Sequence, residues 1–416
     1  MSNSDDEAVR AQYEAHPYPA RDPSDEAKRL VTGSPSHLAE INHYLFAGTR
    51  DFGPGTAPFR ALIAGGGTGD GAIMLAQQLA DAGGESEVVH LDISRASADI
   101  ARARAKARKL TNIRFASGSL LDLPTLDLGT FDYIDCCGVL HHLDDPAAGL
   151  KTLASALADR GGLGLMVYAE LGRTGVYHTQ DALRLLTADD PPGARIEVAR
   201  KLLAGLPESN WLKRNPWVAD HLHGDDAGLL DLLLHSRDRA YRVPEVFTLT
   251  ADAGLSITAF IEPARYDPAT YLAGDALRDR AKALDWPSAC ALAELLAGSI
   301  KRHVFYAVKN DVADRVASAD SPQVIPVLRD GDAQTLAQGL AATRRLNADL
   351  EGLSVSYALD KLAPAILSRV DGKKTLAEIH AAMTTDITWG DFKAAFDDLY
   401  DKLNGINVML LRRPIP

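Results

Sequence analysis

The chain has 416 residues and a formal net charge of −12, with 44 basic against 56 acidic residues. Apolar residues make up 46% of it and charged residues 24%, which is typical of a globular protein with two or three domains. The acidic balance argues against a nucleic-acid or anionic membrane surface. The three cysteines include no CxxC pair, so neither a disulfide framework nor a structural zinc site is expected. The polar N-terminus and the lack of a long apolar run predict a soluble cytoplasmic protein.

An N-terminal helical arm is expected over residues 1–58, where a short helix precedes the proline-rich turn HPYPARDP. Tyr13 and Tyr18 lie in this arm. They can close over a cofactor or an acceptor, or they can simply pack the arm onto the next domain.

Strands alternate with helices between residues 59 and 168, which predicts a parallel sheet with helices on both faces. Later apolar runs at 256–261 and 303–308 would bring the sheet to seven strands. The fold class is therefore α/β, a Rossmann-like, mostly parallel seven-stranded sheet. Helical segments at about 170–253 and 262–302 are expected to form a cap, which completes a domain of residues 59–310.

The C-terminal part is predicted to be a small helical or winged-helix-like domain over residues 322–416, joined by a linker over 311–331. Helical patterns cover 333–350, 357–370, 375–383 and 391–403, and an end strand covers 408–411. This domain is a candidate surface for a peptide or protein acceptor, or for a homodimer contact.

The sequence ALIAGGGTGDG, residues 61–71, opens the first strand–helix unit. Glycines let the backbone turn sharply and approach a ligand, and the helix that follows points its free N–H groups at the loop. Asp92 ends the second strand, where a carboxylate can accept hydrogen bonds from two ribose hydroxyls. Alternatively, Asp92 is only the acid at the start of the next helix.

Two further motifs follow in order, GSLLDLP at 118–124 and FDYIDCCGVLHHLDDP at 131–146. With the glycine loop and Asp92 they resemble the class I S-adenosylmethionine-dependent methyltransferases. The resemblance implies S-adenosyl-L-methionine as cofactor, with the loop on its methionine part, Asp92 on the ribose and the 118–124 turn on the adenine. Carried over by position, the cofactor-binding residues are Gly65, Gly66, Gly67, Gly69, Asp92, Ile93, Ser119, Leu120, Cys137 and Gly138.

A closer likeness is to a bacterial subgroup with an N-terminal Tyr-x-x-x-Pro-Tyr-Pro segment, matched by residues 13–19, 62–69 and 231–246. Two positions depart from the family pattern. Many members have an acid where Ile63 stands and another where Ser119 stands.

His141 follows the fourth strand and is the candidate catalytic base. Methyl transfer mainly needs alignment of nucleophile and methyl group, but a histidine can take a proton from an oxygen or nitrogen nucleophile. The residues proposed to bind substrate are Tyr13, Tyr18, His142, Tyr168 and Tyr177. No metal site is expected, and the acceptor is open between a small molecule and a peptide or protein.

Two alternatives remain at this point. Residues 67–72 also fit the GxGxxA pattern of NAD(P)-dependent oxidoreductases, although no Tyr-x-x-x-Lys pair lies in the domain of residues 59–310 that carries this pattern. The chain can also be a non-catalytic scaffold that keeps the cofactor fold, because the acid at position 63 is missing.

Overall fold

The structure is a computed structural model, and it describes residues 2–222, 226–310, 314–384 and 386–414. Its main feature is a seven-stranded sheet. The strands are β1 (Phe59–Ala64), β2 (Ser86–Asp92), β3 (Ile113–Ser117), β4 (Phe131–Cys137), β5 (Leu157–Tyr168), β6 (Leu255–Phe260) and β7 (Arg302–Lys309). The order is β3-β2-β1-β4-β5-β7-β6, and only β7 runs antiparallel to its neighbours. The predicted Rossmann-like sheet is therefore confirmed.

Fifteen α-helices lie in the described ranges of the chain. They are α1 (Ser2–Ala15), α2 (Leu38–Leu45), α3 (Asp70–Ala82), α4 (Arg95–Ala107), α5 (Pro146–Ser155), α6 (Val176–Leu186), α7 (Pro192–Gly205), α8 (Asp226–Leu233), α9 (Val243–Asp252), α10 (Asp275–Lys282), α11 (Trp286–Ala297), α12 (Ala333–Ala341), α13 (Ala363–Leu367), α14 (Leu376–Ala381) and α15 (Trp389–Gly405). No helix in these ranges combines the length and the apolar composition that crossing a membrane requires.

Both faces of the sheet are buried, as the continuous apolar run in β1 requires. Successive side chains of a strand point to opposite faces. Leu62 accordingly packs into the cluster on one face with residues such as Leu150 of α5, while Ile63 packs into the cluster on the other face with Ile41 of α2 and Leu75 of α3. The carboxyl ends of the parallel strands are thereby held at one edge, where the loops meet.

The fifth strand runs from Leu157 to Tyr168 and includes two consecutive glycines, Gly161 and Gly162. A pair of glycines usually indicates a turn rather than the interior of a strand. In the structure Gly162 lies within the strand, and a Cβ there would come within 2.6 Å of Leu45 Cδ2. The glycine thus serves close packing of α2 on the sheet, a use that the local sequence does not distinguish from a turn.

The predicted linker and two predicted helical patterns are partly wrong. Residues Ile325–Leu328 form strand β8, which pairs antiparallel with the last strand, β11 (Met409–Arg412). Between them, β9 (Arg345–Asp349) and β10 (Ser354–Ala358) form a hairpin where the helical patterns were placed. Buried and exposed residues alternate in both hairpin strands, and the neighbouring Ala- and Leu-rich segments masked this two-residue period.

Glu40 in α2 joins three parts of the chain. Its carboxylate, fully buried, accepts hydrogen bonds from Ser34 Oγ at 2.7 Å and Asn407 Nδ2 at 2.7 Å. The Tyr306 hydroxyl of β7 lies 2.8 Å from its other oxygen, and Arg329 lies at 3.2 Å. The C-terminal region is therefore tied to the sheet through one buried acid.

We expect Glu40→Ala to lower the free energy of unfolding by about 3–5 kcal/mol, because the substitution leaves several buried donors without their acceptor and removes one of the two carboxylates that pair with the half-buried Arg329. The urea midpoint measures this. Glu197→Gln is the control, since Glu197 forms only an exposed ion pair with Lys201 and its loss should leave the midpoint unchanged. A Glu40→Ala midpoint equal to that of the parent chain would contradict the structural role.

Candidate functional site

The glycine loop lies at the carboxyl end of β1 and is bent by three glycines with positive φ, Gly65 at +74°, Gly67 at +50° and Gly69 at +101°. A Cβ at Gly65 would come within 2.3 Å of Val139 Cγ2, so a side chain is excluded there. Helix α3 begins directly after the loop without a side-chain cap. Its first N–H groups are therefore directed at the loop and are available to a ligand.

Asp92 lies beside this loop at the end of β2. One carboxylate oxygen accepts a hydrogen bond from the Gly67 N–H at 2.7 Å, and the other accepts one from the Ser94 N–H at 2.7 Å. Because a carboxylate oxygen has two acceptor positions, each retains capacity for a ribose hydroxyl. The carboxylate both fixes the loop and lines the cavity next to it.

A cavity of about 970 Å³ extends along the carboxyl edge of the sheet. It is lined by all ten residues that the sequence assigned to cofactor binding: Gly65, Gly66, Gly67, Gly69, Asp92, Ile93, Ser119, Leu120, Cys137 and Gly138. The open glycine loop, the ribose-type acid and this volume fit S-adenosylmethionine. Their individual contacts to the cofactor stay predictions.

Ser119 has a local structural role in addition to lining the cavity. Its hydroxyl accepts a hydrogen bond from the Leu121 N–H at 3.2 Å, and Asp122 accepts one from the Ser119 N–H at 3.2 Å. This capping box shapes the turn after β3. Because the Ser119 hydroxyl is engaged in this capping box, we expect the backbone of the turn to make the contact with the adenine.

A cluster of buried polar side chains lines the cavity beyond Cys137, and it includes Asp231, which the sequence analysis left without a role. The Tyr13 hydroxyl donates to Asp231 Oδ1 at 3.0 Å, and the Tyr168 hydroxyl donates to Asp231 Oδ2 at 3.0 Å. Burial raises the pKa of both tyrosines well above the ordinary value. The two phenols therefore stay protonated and donate to the carboxylate.

His142 and His235 stack 3.8 Å apart beside Asp231, and the Arg237 peptide group fixes their tautomers. His142 Nδ1 lies 2.8 Å from the Arg237 carbonyl, which can only accept, so this nitrogen carries the proton. His235 Nδ1 accepts the Arg237 N–H at 3.0 Å, so its proton lies on Nε2. His142 Nε2 is consequently the basic nitrogen of the pair.

The ligand atoms of His142, Asp231 and His235 lie within 4.8 Å of one another, a spacing that a metal ion could bridge. In the tautomer that these hydrogen bonds indicate, His235 carries its proton on Nε2, the nitrogen nearest Tyr13, and this nitrogen therefore has no lone pair for a metal ion. Burial lowers the pKa of His142, and it lowers that of His235 to about 4. Both rings are thus neutral at pH 7.

The predicted catalytic and substrate residues divide into two groups. Tyr13, Tyr18, Tyr168 and His142 line the cavity. His141 and Tyr177 do not line it. His141 is 1% exposed, its ring lies 3.9 Å from that of Tyr168, and burial lowers its pKa well below the ordinary value. Of the two adjacent histidines, the turn after β4 therefore directs His142 and not His141 towards the cavity.

Comparison with known proteins identifies the class. The family model for a methyltransferase domain matches residues 62–163. An uncharacterised protein of Synechococcus sp. is 32% identical over 317 residues, covering 74% of this chain and 72% of that protein. The structure of PKMT2 from Rickettsia typhi in complex with AdoHcy has the same fold, with a TM-score of 0.59 and 15% identity over 91% of this chain and 75% of that one.

The fold and site are those of a nucleotide-binding α/β enzyme that uses a sulfonium methyl donor. The chain belongs to the class I S-adenosylmethionine-dependent methyltransferase family, and its cofactor is S-adenosylmethionine. The oxidoreductase and scaffold alternatives are not favoured.

We expect Asp92→Asn to weaken S-adenosylhomocysteine binding by about 10–100-fold. The asparagine amide has one acceptor oxygen and cannot accept hydrogen bonds from Gly67, Ser94 and the ribose together. This loss should reduce the binding free energy by about 1.5–3 kcal/mol. Isothermal calorimetry measures the change. Asp99→Asn removes the same charge from an exposed position on α4 and should leave the affinity unaltered. An Asp92→Asn affinity within twofold of the parent value would disprove the ribose assignment.

Proposed function

We propose that this enzyme transfers the methyl group to an amine nitrogen, carried by a small molecule or by a peptide or protein. The observation behind the proposal is the buried carboxylate of Asp231, which lines the cavity beside the neutral His142. Among the ion pairs of the described residues none involves Asp231, and the nearby guanidinium of Arg173 is paired with Asp238 at 3.0 Å. A buried carboxylate without a counter-ion favours a cationic or hydrogen-bond-donating acceptor.

The chemistry assigns one task to each side chain of the cluster. When bound, S-adenosylmethionine supplies an electrophilic methyl group, whose carbon bonds to the acceptor nitrogen while the sulfur leaves with the electron pair of the broken bond. His142 Nε2 takes the proton that the nitrogen must lose to present its lone pair. Asp231 accepts hydrogen bonds from the amine, orients it, and stabilises the positive charge that arises on the nitrogen. Tyr13 and Tyr168 hold the carboxylate in place.

We expect His142→Gln to slow methyl transfer by about 10²–10⁴-fold and Asp231→Asn by about 10–100-fold, because the first loses the base and the second loses the charge that orients the amine. The initial rate of label transfer from methyl-labelled S-adenosylmethionine to cell extract measures both. Binding of S-adenosylhomocysteine should stay within about twofold in each variant.

His178→Gln is the matched control, since His178 is exposed in α6 and does not line the cavity. The pH profile gives a second readout. A base must be unprotonated, and because the pKa of His142 is lowered, the loss of rate on acidification should begin below the ordinary histidine range near pH 6.5. Full activity of His142→Gln with an unchanged profile would remove this residue from the mechanism.

The chemical stability of the transferred label tests the acceptor class. After incubation with extract, we expect the label to resist mild alkali and to disappear when the amines of the extract are acetylated beforehand. Separation into protein and small-molecule fractions then assigns the carrier. Release as methanol in alkali would indicate a carboxyl acceptor, and label that survives acetylation would indicate a hydroxyl acceptor. Either result would reject the amine.

A further inference from the structure

A second buried carboxylate without a counter-ion lines the same cavity. Asp135 on β4 is 4% exposed and pairs in register with Ile63 on β1, so the two residues stand side by side at the carboxyl edge of the sheet. Both line the cavity. Ile63 has no polar side-chain atom. Asp135 places a carboxylate directly beside it, on the neighbouring strand.

The surroundings of Asp135 contain donors but no cation. Its Oδ1 accepts the Cys137 N–H at 3.0 Å, and its Oδ2 accepts a hydrogen bond from the Ser36 hydroxyl. No lysine, arginine or histidine of the described residues forms an ion pair with it or shifts its pKa. Burial raises the pKa of Asp135 to about 6, against the two hydrogen bonds that lower it.

The residues that face Asp135 are also uncharged. Ser36 from the segment before α2, Gly71 from α3 and Gly164 from β5 do not titrate. Tyr133 and Cys137 on its own strand have pKa values raised by burial, so both are neutral at pH 7. The ionised carboxylate thus lacks compensation unless a ligand provides it.

The space next to Asp135 is kept open. A Cβ on Gly71 would lie 3.5 Å from both Asp135 Oδ2 and Ser36 Oγ, so glycine at this first turn of α3 leaves room between the helix and the carboxylate. Residues 31–36 line the cavity on the far side, and the glycine loop lies on the near side. A small polar group can therefore sit between the loop and Ser36.

The other carboxylates near the glycine loop already have partners. Asp70 is paired with Arg21 at 2.6 Å and Arg104 at 2.7 Å. Asp92 accepts two backbone N–H groups and faces the ribose position. Asp122 caps the turn after β3. Asp135 differs from Asp70 and Asp122 because it has neither a cation nor a capping role, and it differs from Asp92 because it lies away from the ribose position.

We propose that Asp135, held by Ser36, binds the α-ammonium group of the methionine part of S-adenosylmethionine. This assignment rests on the cofactor of the enzyme and is independent of the acceptor proposed above. It gives this chain a carboxylate for the cofactor's amino group although residue 63 is isoleucine. The partner of the ammonium comes from β4 instead of β1.

Two ligands that differ only in the ammonium group test the assignment. S-adenosylhomocysteine carries it, and its deamino analogue has hydrogen in its place. We expect Asp135→Asn to weaken binding of S-adenosylhomocysteine by about 10–100-fold in calorimetry, as loss of a charge-assisted hydrogen bond should. Binding of the deamino analogue should stay within about twofold, which also shows that the variant is folded.

The pH dependence gives an independent readout. Because protonated Asp135 cannot pair with an ammonium group, the affinity of the parent chain for S-adenosylhomocysteine should fall as the pH drops from 7 to 5. The deamino analogue and the Asp135→Asn variant should lack this decrease. Asp122→Asn is the matched control, since it removes a cavity-lining carboxylate. Asp122→Asn should leave the ratio of the dissociation constants of S-adenosylhomocysteine and its deamino analogue equal to that of the parent chain.

The outcomes separate the two levels of assignment. Equal weakening of both ligands by Asp135→Asn, or no weakening of either, would overturn the role of Asp135 while the cofactor assignment stands. Failure of the parent chain to bind either ligand would overturn the cofactor assignment and this inference with it. Neither result depends on finding the methyl acceptor.

Discussion

The carboxylate of Glu40 is the constraint on which the geometry of the cofactor cavity depends. It receives Ser34 from the segment before α2, the Tyr306 hydroxyl from β7, and Asn407 and Arg329 from the C-terminal region. A buried acid is tolerated only when its acceptor positions are filled, so these four groups must be in place together. One side chain thereby couples the N-terminal arm, the sheet and the last hundred residues.

The consequence for the cavity passes through Pro35. Its carbonyl lies 2.8 Å from the Tyr133 hydroxyl and 2.5 Å from the Tyr306 hydroxyl, between Ser34 on Glu40 and Ser36 on Asp135. Ser34, Pro35 and Ser36 thus connect two buried acids, Glu40 at the junction with the C-terminal region and Asp135 in the cavity. Through these contacts the C-terminal region is linked to the segment that forms part of the cavity wall.

The sequence predicted those parts of the site whose cause is local. The glycine loop, Asp92 and the turn after β3 each follow a strand directly, and the sheet edge brings them together once the strand order is right. The role of Asp231 could not be predicted, because its hydrogen-bond partner Tyr13 lies 218 residues away in the sequence. Hydrophobic periodicity does not reveal contacts between such distant residues. Which of His141 and His142 lines the cavity could not be predicted for a related reason, since the direction of two adjacent side chains in a short turn depends on what packs behind them. The hairpin at Arg345–Ala358 was missed because its two-residue alternation is short and adjoins helical segments.

The charge balance around Asp231 favours the proposed amine acceptor over an alcohol. Transfer to an amine moves one positive charge from sulfur to nitrogen, so the number of charges in the cavity is conserved while the charge approaches Asp231. A hydroxyl acceptor is neutral when it binds, so Asp231 would be buried without a counter-ion before the transfer, and the proton that His142 takes would supply one only afterwards. An isolated buried charge is costly. Transfer to an amine keeps a positive charge next to Asp231 both before and after the reaction, so it avoids this cost. Asp135 stands apart from this balance, because the ammonium group assigned to it takes no part in the transfer.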